Sequence, residues 1–196
     1  MCRSPGSSRK HSAACFATIL RYGSRAMKIR SFLTLMSLLT FHGLIARAEP
    51  LKIGDAAPAI SGTTDEGKTL NLADVYKAND YTLVWFYPKA LTGGCTKQGC
   101  SLRDAAADLK AKGVAVVGVS VDPIEKQKEF KDVNHFPYPL IADTDKSVIK
   151  AFGQSGGMMA SREAYLINRA GKVVYHDEKQ TAKQAEQVLA FLTKKS

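Results

Sequence analysis

The chain has 196 residues, 45% of them apolar, and a formal net charge of +10, a composition that excludes a fibrous or largely disordered protein and favours one globular domain. Eight of the 28 basic residues lie in residues 1–48, which contain no Asp or Glu, so the rest of the chain has 20 basic against 18 acidic residues. Because the positive charge is concentrated at the front, the composition does not indicate nucleic-acid binding.

Residues 27–48 have the three parts of a secretory signal peptide. Lys28 and Arg30 form a short basic region, residues 32–45 are largely apolar, and residues 46–48 read A-R-A, which fits a cleavage site. This pattern predicts an exported protein, placed in the periplasm if the source is a bacterium.

A membrane anchor is the alternative to cleavage. The apolar run spans 14 residues and includes His42, whereas a spanning helix needs about 20. We therefore predict a mature chain that begins at Glu49, forms one domain over residues 49–196 and has no membrane segment. Residues 1–26 precede a second methionine with a complete signal behind it, and we interpret them as an upstream extension, with a targeting role as the alternative.

The first elements of the mature chain are strands. Residues 59–63 and 69–72 flank a polar turn with Gly67, which predicts a hairpin. Residues 81–87 (YTLVWFY) and 114–121 (VAVVGVSV) are continuous apolar runs, as expected of central strands buried on both faces.

Between those two strands, residues 101–112 have apolar side chains at helical spacing and Gly113 as a stop. A strand, a helix and a strand of this size predict a right-handed parallel crossover. The later pattern predicts helices at 124–133, 147–152 and 181–194, a strand at 138–142, and a hairpin of strands 163–168 and 172–176. Together these elements predict an α/β fold with a mixed central sheet flanked by helices.

Export removes Cys2 and Cys15 and leaves Cys95 and Cys100 as the only pair of cysteines. Two cysteines do not make a disulfide scaffold, and a domain of this length folds without one. The pair therefore indicates chemistry. A structural disulfide is the alternative, but it would close a loop of a few residues, which stabilises little.

The segment 86–104 places Cys95 where a buried strand ends and a helix begins, and Cys100 lies further along that helix. A helix start offers unpaired N–H groups and the positive end of the helix dipole. Both favour the thiolate, which is the nucleophilic form of cysteine. The sequence thus predicts a reactive Cys95.

These residues carry a resemblance to the peroxiredoxins. Pro88, Thr92 and Cys95 match the P-x-x-x-T-x-x-C signature of that family, and Cys95 with Cys100 matches the cysteine spacing of its bacterioferritin-comigratory (PrxQ-like) subfamily. The similarity extends over residues 51–194. The order of elements, with cysteines just after the first central strand, resembles the thioredoxin fold.

The resemblance implies a role for each site residue. Cys95 would be the peroxidatic nucleophile and Cys100 the resolving cysteine. Thr92 would orient the peroxide, Arg162 would stabilise the thiolate and the developing charge, and Pro88 would shield the site from water. These groups act without a metal or an organic cofactor.

The implied activity is a thiol-dependent peroxidase. It would reduce hydrogen peroxide and organic hydroperoxides through a Cys95 sulfenic acid and an intramolecular Cys95–Cys100 disulfide, which thioredoxin or an exported thioredoxin-like protein would reduce. The resemblance also implies a monomer. One position departs from the subfamily pattern, because Gly93 stands where a proline is usual, and this departure frees the backbone before Cys95.

Taken singly, several residues have plainer interpretations. Thr92 alone is typical of a helix cap and Arg162 of a surface cation. His135 and His176 are interpreted as a surface loop residue and a strand-end residue, with metal binding as the alternative. The loop containing Met158 and Met159 is interpreted as flexible. Because it precedes Arg162, the alternative that one of these methionines lines the substrate pocket stays open.

Two competing functions differ in cysteine spacing. An exported thiol–disulfide oxidoreductase would have Cys-x-x-Cys, two residues shorter than the spacing here. A copper-binding module of the SCO type would have Cys-x-x-x-Cys and a histidine ligand. Consumption of hydrogen peroxide with a dithiol, as against stoichiometric retention of copper, distinguishes these functions.

Overall fold

The computed structural model describes residues 49–154 and 157–195. The predicted upstream extension, 1–26, and signal peptide, 27–48, lie outside the described residues. Within them, no helix combines the length and the apolar character that crossing a membrane requires.

Seven strands and six helices form the described part of the chain. The strands are β1 (Ser61–Thr63), β2 (Thr69–Asn71), β3 (Tyr81–Phe86), β4 (Val114–Ser120), β5 (Leu140–Ala142), β6 (Glu163–Asn168) and β7 (Val173–Glu178). The helices are α1 (Leu72–Ala78), α2 (Gly93–Asp104), α3 (Ala106–Ala111), α4 (Ile124–Asn134), α5 (Ser147–Ala151) and α6 (Gln184–Lys195).

Five strands make a mixed sheet in the order β5-β4-β3-β6-β7, and β1 and β2 form the predicted hairpin. The pairs β3–β4 and β4–β5 are parallel, whereas β3–β6 and β6–β7 are antiparallel. The mixed α/β class and both hairpins are therefore confirmed.

The central strand β3 divides the core into two layers because successive side chains point to opposite faces of a sheet. Leu83 and Trp85 belong to the cluster that packs against α2, α4 and α6. Val84 and Phe86 belong to the cluster that packs against α1 and α5. The sheet is thus covered on both faces, which explains why β3 is a continuous apolar run.

The predicted helix 101–112 is wrong in its extent. Helix α2 begins at Gly93, eight residues earlier, and ends at Asp104; Ala105 then leaves the helical region (φ −97°, ψ 12°) before α3 begins. Leu102 before this break and Leu109 after it are both fully buried in the same core cluster. The break re-aims the chain so that both side chains reach that core.

Helix α1 was not predicted. It has only seven residues, its N-cap Asn71 accepts a hydrogen bond from the Ala73 amide, and it buries only Leu72 and Tyr76. Too few apolar residues repeat to reveal a helix this short. The other predicted boundaries agree with the structure to within three residues.

Candidate active site

A constrained loop leads from β3 into α2. Leu91 has a left-handed backbone (φ 62°), which is uncommon for a side chain of this size. The Ala90 amide donates to Asp122 Oδ2 at 2.7 Å, and the Ser120 hydroxyl donates to the same oxygen at 2.7 Å. Because Ser120 ends β4, the neighbouring strand fixes the loop that delivers Thr92 to the start of α2.

Thr92 occupies the N-cap position of α2, but its hydroxyl makes no capping hydrogen bond. The hydroxyl instead donates to the Lys89 carbonyl at 2.9 Å. A hydroxyl that donates its one hydrogen keeps its lone pairs available as acceptors. The side chain is exposed, so it can accept a hydrogen bond from a small molecule at the mouth of the site.

Cys95 lies in the first turn of α2 and is fully buried. Arg162 Nη2 approaches its sulfur to 3.4 Å, so the structure brings together two predicted site residues that are 67 positions apart. A guanidinium beside the sulfur and the N-terminal end of a helix both favour the thiolate over the thiol.

The guanidinium of Arg162 is held by Gln98 and lies close to the backbone at Gly94. Its Nη1 donates to Gln98 Oε1 at 2.6 Å. On the other side, a Cβ added at Gly94 would lie 3.1 Å from Nη2, so a glycine at position 94 leaves room for the close approach. Gln98 was not singled out in the sequence, although its i+3 spacing from Cys95 places both on one face of α2.

Cys100 lies on the same helix but apart from this cluster. It is half-buried, and its sulfur is 3.9 Å from Asn134 Oδ1 on α4. Both cysteines are free. Five residues of α-helix separate two Cα atoms by about 8.7 Å, whereas a disulfide requires roughly 4.4 to 6.8 Å. The two sulfurs therefore cannot bond while α2 is intact.

Gly99, between the two cysteines, sits against an aromatic wall. A Cβ at this position would overlap the ring of Phe136. The Tyr138 hydroxyl donates to the Gly99 carbonyl at 2.8 Å. Position 99 therefore accepts no side chain without displacing Phe136, and the middle of α2 depends on this fit.

The remaining predicted residues lie near the site or away from it. Pro88 is half-buried and lies two residues after β3. On the loop before Arg162, Met158 is 87% and Met159 52% exposed, and neither packs into the core. His135 is exposed and ends α4 in a left-handed conformation (φ 55°).

His176 lies within β7 and serves a structural contact. Its ring stacks on Tyr165 with centroids 4.3 Å apart, and its Nε2 is 3.3 Å from Glu163 Oε2. Burial raises the pKa of Glu163, but hydrogen bonds from His176 and Tyr165 outweigh that effect and lower it overall. Across residues 49–154 and 157–195, no three His, Cys, Asp or Glu side chains cluster as metal ligands would.

Comparison with known sequences places this site in a family context. A family model described as the AhpC/TSA family matches residues 53–176. The chain is 38% identical over 152 residues to peroxiredoxin Bcp of Escherichia coli. The alignment covers 73% of this chain and 96% of that protein. It is 36% identical over 127 residues to peroxiredoxin bcp1 of Schizosaccharomyces pombe, covering 63% of this chain and 65% of that protein.

Solved structures give the same result. Peroxidoxin BcpB of Mycobacterium tuberculosis superposes with a TM-score of 0.68 at 30% identity, covering 74% of this chain and 97% of that chain. Peroxiredoxin Q of Xanthomonas campestris gives a TM-score of 0.64 at 25% identity, covering 74% and 96%. These similarities confirm the thioredoxin-like fold, and they favour neither the thiol–disulfide oxidoreductase nor the copper-binding alternative.

Proposed function

This chain belongs to the AhpC/TSA family as a peroxiredoxin of the Bcp (PrxQ) type, a thiol peroxidase, and from that premise we propose that Cys95 attacks the peroxide and Cys100 resolves the oxidised sulfur. The observation that carries the proposal is the pairing of a buried thiol at a helix start with a guanidinium 3.4 Å away. That pairing supports a nucleophile, the Cys95 sulfur, and a group that stabilises negative charge, the Arg162 guanidinium, next to each other in one site.

The first step oxidises Cys95. Its thiolate attacks one peroxide oxygen, the O–O bond breaks, and the sulfur becomes a sulfenic acid while the other oxygen leaves as an alkoxide or hydroxide that takes a proton from solvent. The leaving oxygen develops negative charge, which Arg162 and the free N–H groups of the first turn of α2 can meet. Thr92 accepts the hydrogen bond of the peroxide O–H and so orients it.

The second step joins Cys95 and Cys100. The Cys100 thiol attacks the sulfenic sulfur, a disulfide forms and water leaves. Because the intact helix keeps the two Cα atoms too far apart, α2 must first unwind. Unwinding breaks hydrogen bonds between α2 and its neighbours, among them those of Gly99 with Tyr138, of Ser101 with the Ala185 amide, and of Arg103 with the Asn134 carbonyl.

Turnover then requires two electrons from an external dithiol. We expect a thioredoxin-like protein to supply them and the substrates to be hydrogen peroxide and organic hydroperoxides, as the family assignment suggests. An exported enzyme would need such a reductant outside the cytoplasm. We expect the protein to act as a monomer, which size-exclusion chromatography with light scattering can check.

Replacement of each cysteine tests the two roles. Cys95→Ser is expected to abolish consumption of hydrogen peroxide with a dithiol while the protein stays folded. Cys100→Ser is expected to keep the first oxidation and to accumulate Cys95 sulfenic acid, detectable by a sulfenic-specific probe and mass spectrometry. Peroxidase turnover in Cys95→Ser would overturn the assignment. If the oxidised protein lacks a Cys95–Cys100 bond, a one-cysteine mechanism replaces the second step.

Export is a separate proposal. The basic, apolar and small-residue regions of residues 27–48 support cleavage before Glu49 and release into the bacterial periplasm. N-terminal sequencing of the product secreted by a bacterial host measures the cleavage point directly. A product that retains residues 27–48 would contradict the proposal.

A further inference from the structure

The hydrogen bonds that hold Arg162 continue beyond the active site. Gln98 Nε2 donates to Gln184 Oε1 at 3.0 Å, and Gln184 Nε2 donates to Asp177 Oδ2 at 2.6 Å. Gln98 and Gln184 are both fully buried. We call these four residues, Arg162, Gln98, Gln184 and Asp177, the amide relay.

The direction of the amide relay is fixed by its two ends. A guanidinium can only donate, so the Gln98 atom that faces Arg162 must be the oxygen, and its nitrogen must then donate to Gln184. An ionised carboxylate can only accept, so the Gln184 atom that faces Asp177 must be the nitrogen. Both ends require the same orientation of both amides, and the relay therefore links a cation to a carboxylate through two aligned amide dipoles.

The carboxylate end is anchored independently of the active site. The Tyr175 hydroxyl donates to Asp177 Oδ2 at 2.8 Å. Burial raises the pKa of Asp177 overall, although the hydrogen bonds from Tyr175 and Gln184 and the neighbouring His176 act to lower it. A partly buried carboxylate is stabilised more by each hydrogen-bond donor than one in water is. The donor from Gln184 therefore stabilises the carboxylate of Asp177.

The relay also joins elements that are distant in the chain. Gln98 lies on α2, Arg162 precedes β6, Asp177 lies on β7 and Gln184 begins α6. Its last two members follow the segment 53–176 that the family model matches. Gln184 is fully buried, and burying a glutamine costs free energy unless its amide is paired.

We propose that Gln184 and Asp177 are positioning residues for the peroxidase reaction. They hold the amide of Gln98, and Gln98 holds the guanidinium of Arg162 in the orientation that keeps Nη2 on the Cys95 sulfur. Without the acceptor on Gln184, the Gln98 Nε2 is a buried donor with no partner, and the amide rotates away to find one. Because Gln98 and Gln184 lie on different helices, unwinding of α2 also opens the relay and releases Arg162.

Gln184→Met tests this proposal, because methionine has a similar volume but neither donates nor accepts as an amide does. Oxidation of Cys95 by hydrogen peroxide is expected to slow roughly tenfold, as when a residue that orients a reacting group is lost. Alkylation of Cys95 at one fixed pH is expected to slow as well, because Arg162 no longer donates to the sulfur. The control is Gln187→Met on the same helix. The Oε1 of Gln187 accepts at 3.3 Å from the Tyr175 hydroxyl, so this change leaves the four relay residues and the 2.8 Å bond from Tyr175 to Asp177 in place.

Asp177 provides a second test that does not depend on how well Gln184→Met folds. Asp177→Asn keeps an oxygen acceptor and Asp177→Leu does not, so the asparagine variant is expected to retain more of the oxidation rate than the leucine variant. The proposal rests on the role of Cys95 in the proposed function, but the two fail differently. A wild-type protein that does not react with peroxide refutes the function.

If wild type reacts with peroxide while Gln184→Met keeps both its oxidation rate and its alkylation rate, the relay is refuted and the proposed function stands. The relay is refuted also if Gln187→Met loses as much rate as Gln184→Met, or if Asp177→Asn and Asp177→Leu lose the same amount, because a general loss of packing would then explain the results.

Discussion

At the Cys95 end, α2 is held by the charged side chain of Arg162, whereas at the Cys100 end it is held by an aromatic wall together with hydrogen bonds to neutral groups. The Cys95 end, residues 93–98, meets Arg162 at both Cys95 and Gln98. The Cys100 end, residues 99–104, meets Phe136 and Tyr138 at Gly99. One helix therefore carries two environments, one suited to stabilising a thiolate and one suited to docking a backbone.

The aromatic wall behind the Cys100 end is a closed ring of contacts. Its five members each touch two others, with centroids 4.5 to 6.3 Å apart: Trp85, Tyr87, Phe130, Phe136 and Tyr138. No side chain of α2 belongs to this ring, although Leu102 of that helix lies in the same core cluster. The comparison teaches that the aromatic wall is assembled from elements other than α2, whereas the contacts of Arg162 with Cys95 and Gln98 require a folded α2.

The largest effect is expected at the Cys95 end. Arg162→Ala removes the donor beside the sulfur, and loss of one charge-meeting donor slows a reaction about 10²- to 10³-fold, or about 2.7–4 kcal/mol. The measurement is the second-order rate of Cys95 oxidation, followed by the fluorescence of Trp85, the only tryptophan in the chain. Thr92→Val should slow oxidation by less, since it removes one orienting acceptor.

The matched control for this change is Arg169→Ala. Arg169 follows β6, is mostly exposed and pairs with Asp80 at 2.8 Å on the surface, so its loss should leave the oxidation rate as in wild type. Equal rates for wild type and Arg162→Ala would show that the contact with Cys95 is not used in the reaction.

A smaller effect is expected at the Cys100 end. Gly99→Ala pushes a methyl group into the Phe136 ring, and overpacking of this kind costs roughly 1–3 kcal/mol. The destabilisation should fall on α2, so amide hydrogen exchange over residues 93–103 should accelerate in the reduced protein. Gly93→Ala is the control, because a Cβ at position 93 meets nothing within 4 Å. Equal protection in both variants would mean that the aromatic wall does not hold the helix.

The sequence predicts the parts of the fold that depend on local patterns. The apolar runs of β3 and β4 and the turn residues of both hairpins identify the sheet, because these signals lie within a few residues of one another. Cys95 could be found from its place after a strand. The pairing of Arg162 with Cys95 was predicted by family resemblance alone, since no local pattern links residues so far apart.

What could not be predicted depends on contacts between distant segments. The helical spacing at 101–112 gives no sign that Ala105 interrupts the helix, because the break serves packing against other elements. Only the structure shows that Phe136, which follows α4, occupies the space that a side chain at position 99 would need. Gln98 and Gln184 each look like ordinary helix residues until the fold brings them together.

The smallest effect is expected from Gly93→Pro, which restores the residue usual in the subfamily. Position 93 is the first residue of α2, where a missing N–H leaves no helical bond unmade. Thr92 is already extended (φ −92°, ψ 149°), as a residue before proline must be. A compatible proline stabilises by about 0.4–1 kcal/mol, chiefly by restricting the unfolded chain.

The same restriction applies when α2 unwinds after oxidation, because the unwound segment also loses freedom at position 93. Disulfide formation should therefore slow about two- to fivefold, the rate equivalent of that free energy, while oxidation of Cys95 keeps its rate because no contact of Arg162 changes. Rapid-mixing fluorescence separates the two phases in a single experiment. Gly93→Ala, which restricts the chain less, should fall between wild type and the proline variant. A disulfide phase that is unchanged or faster in Gly93→Pro would show that opening at the Cys95 end does not limit resolution, and that the Cys100 end leaves its aromatic wall first.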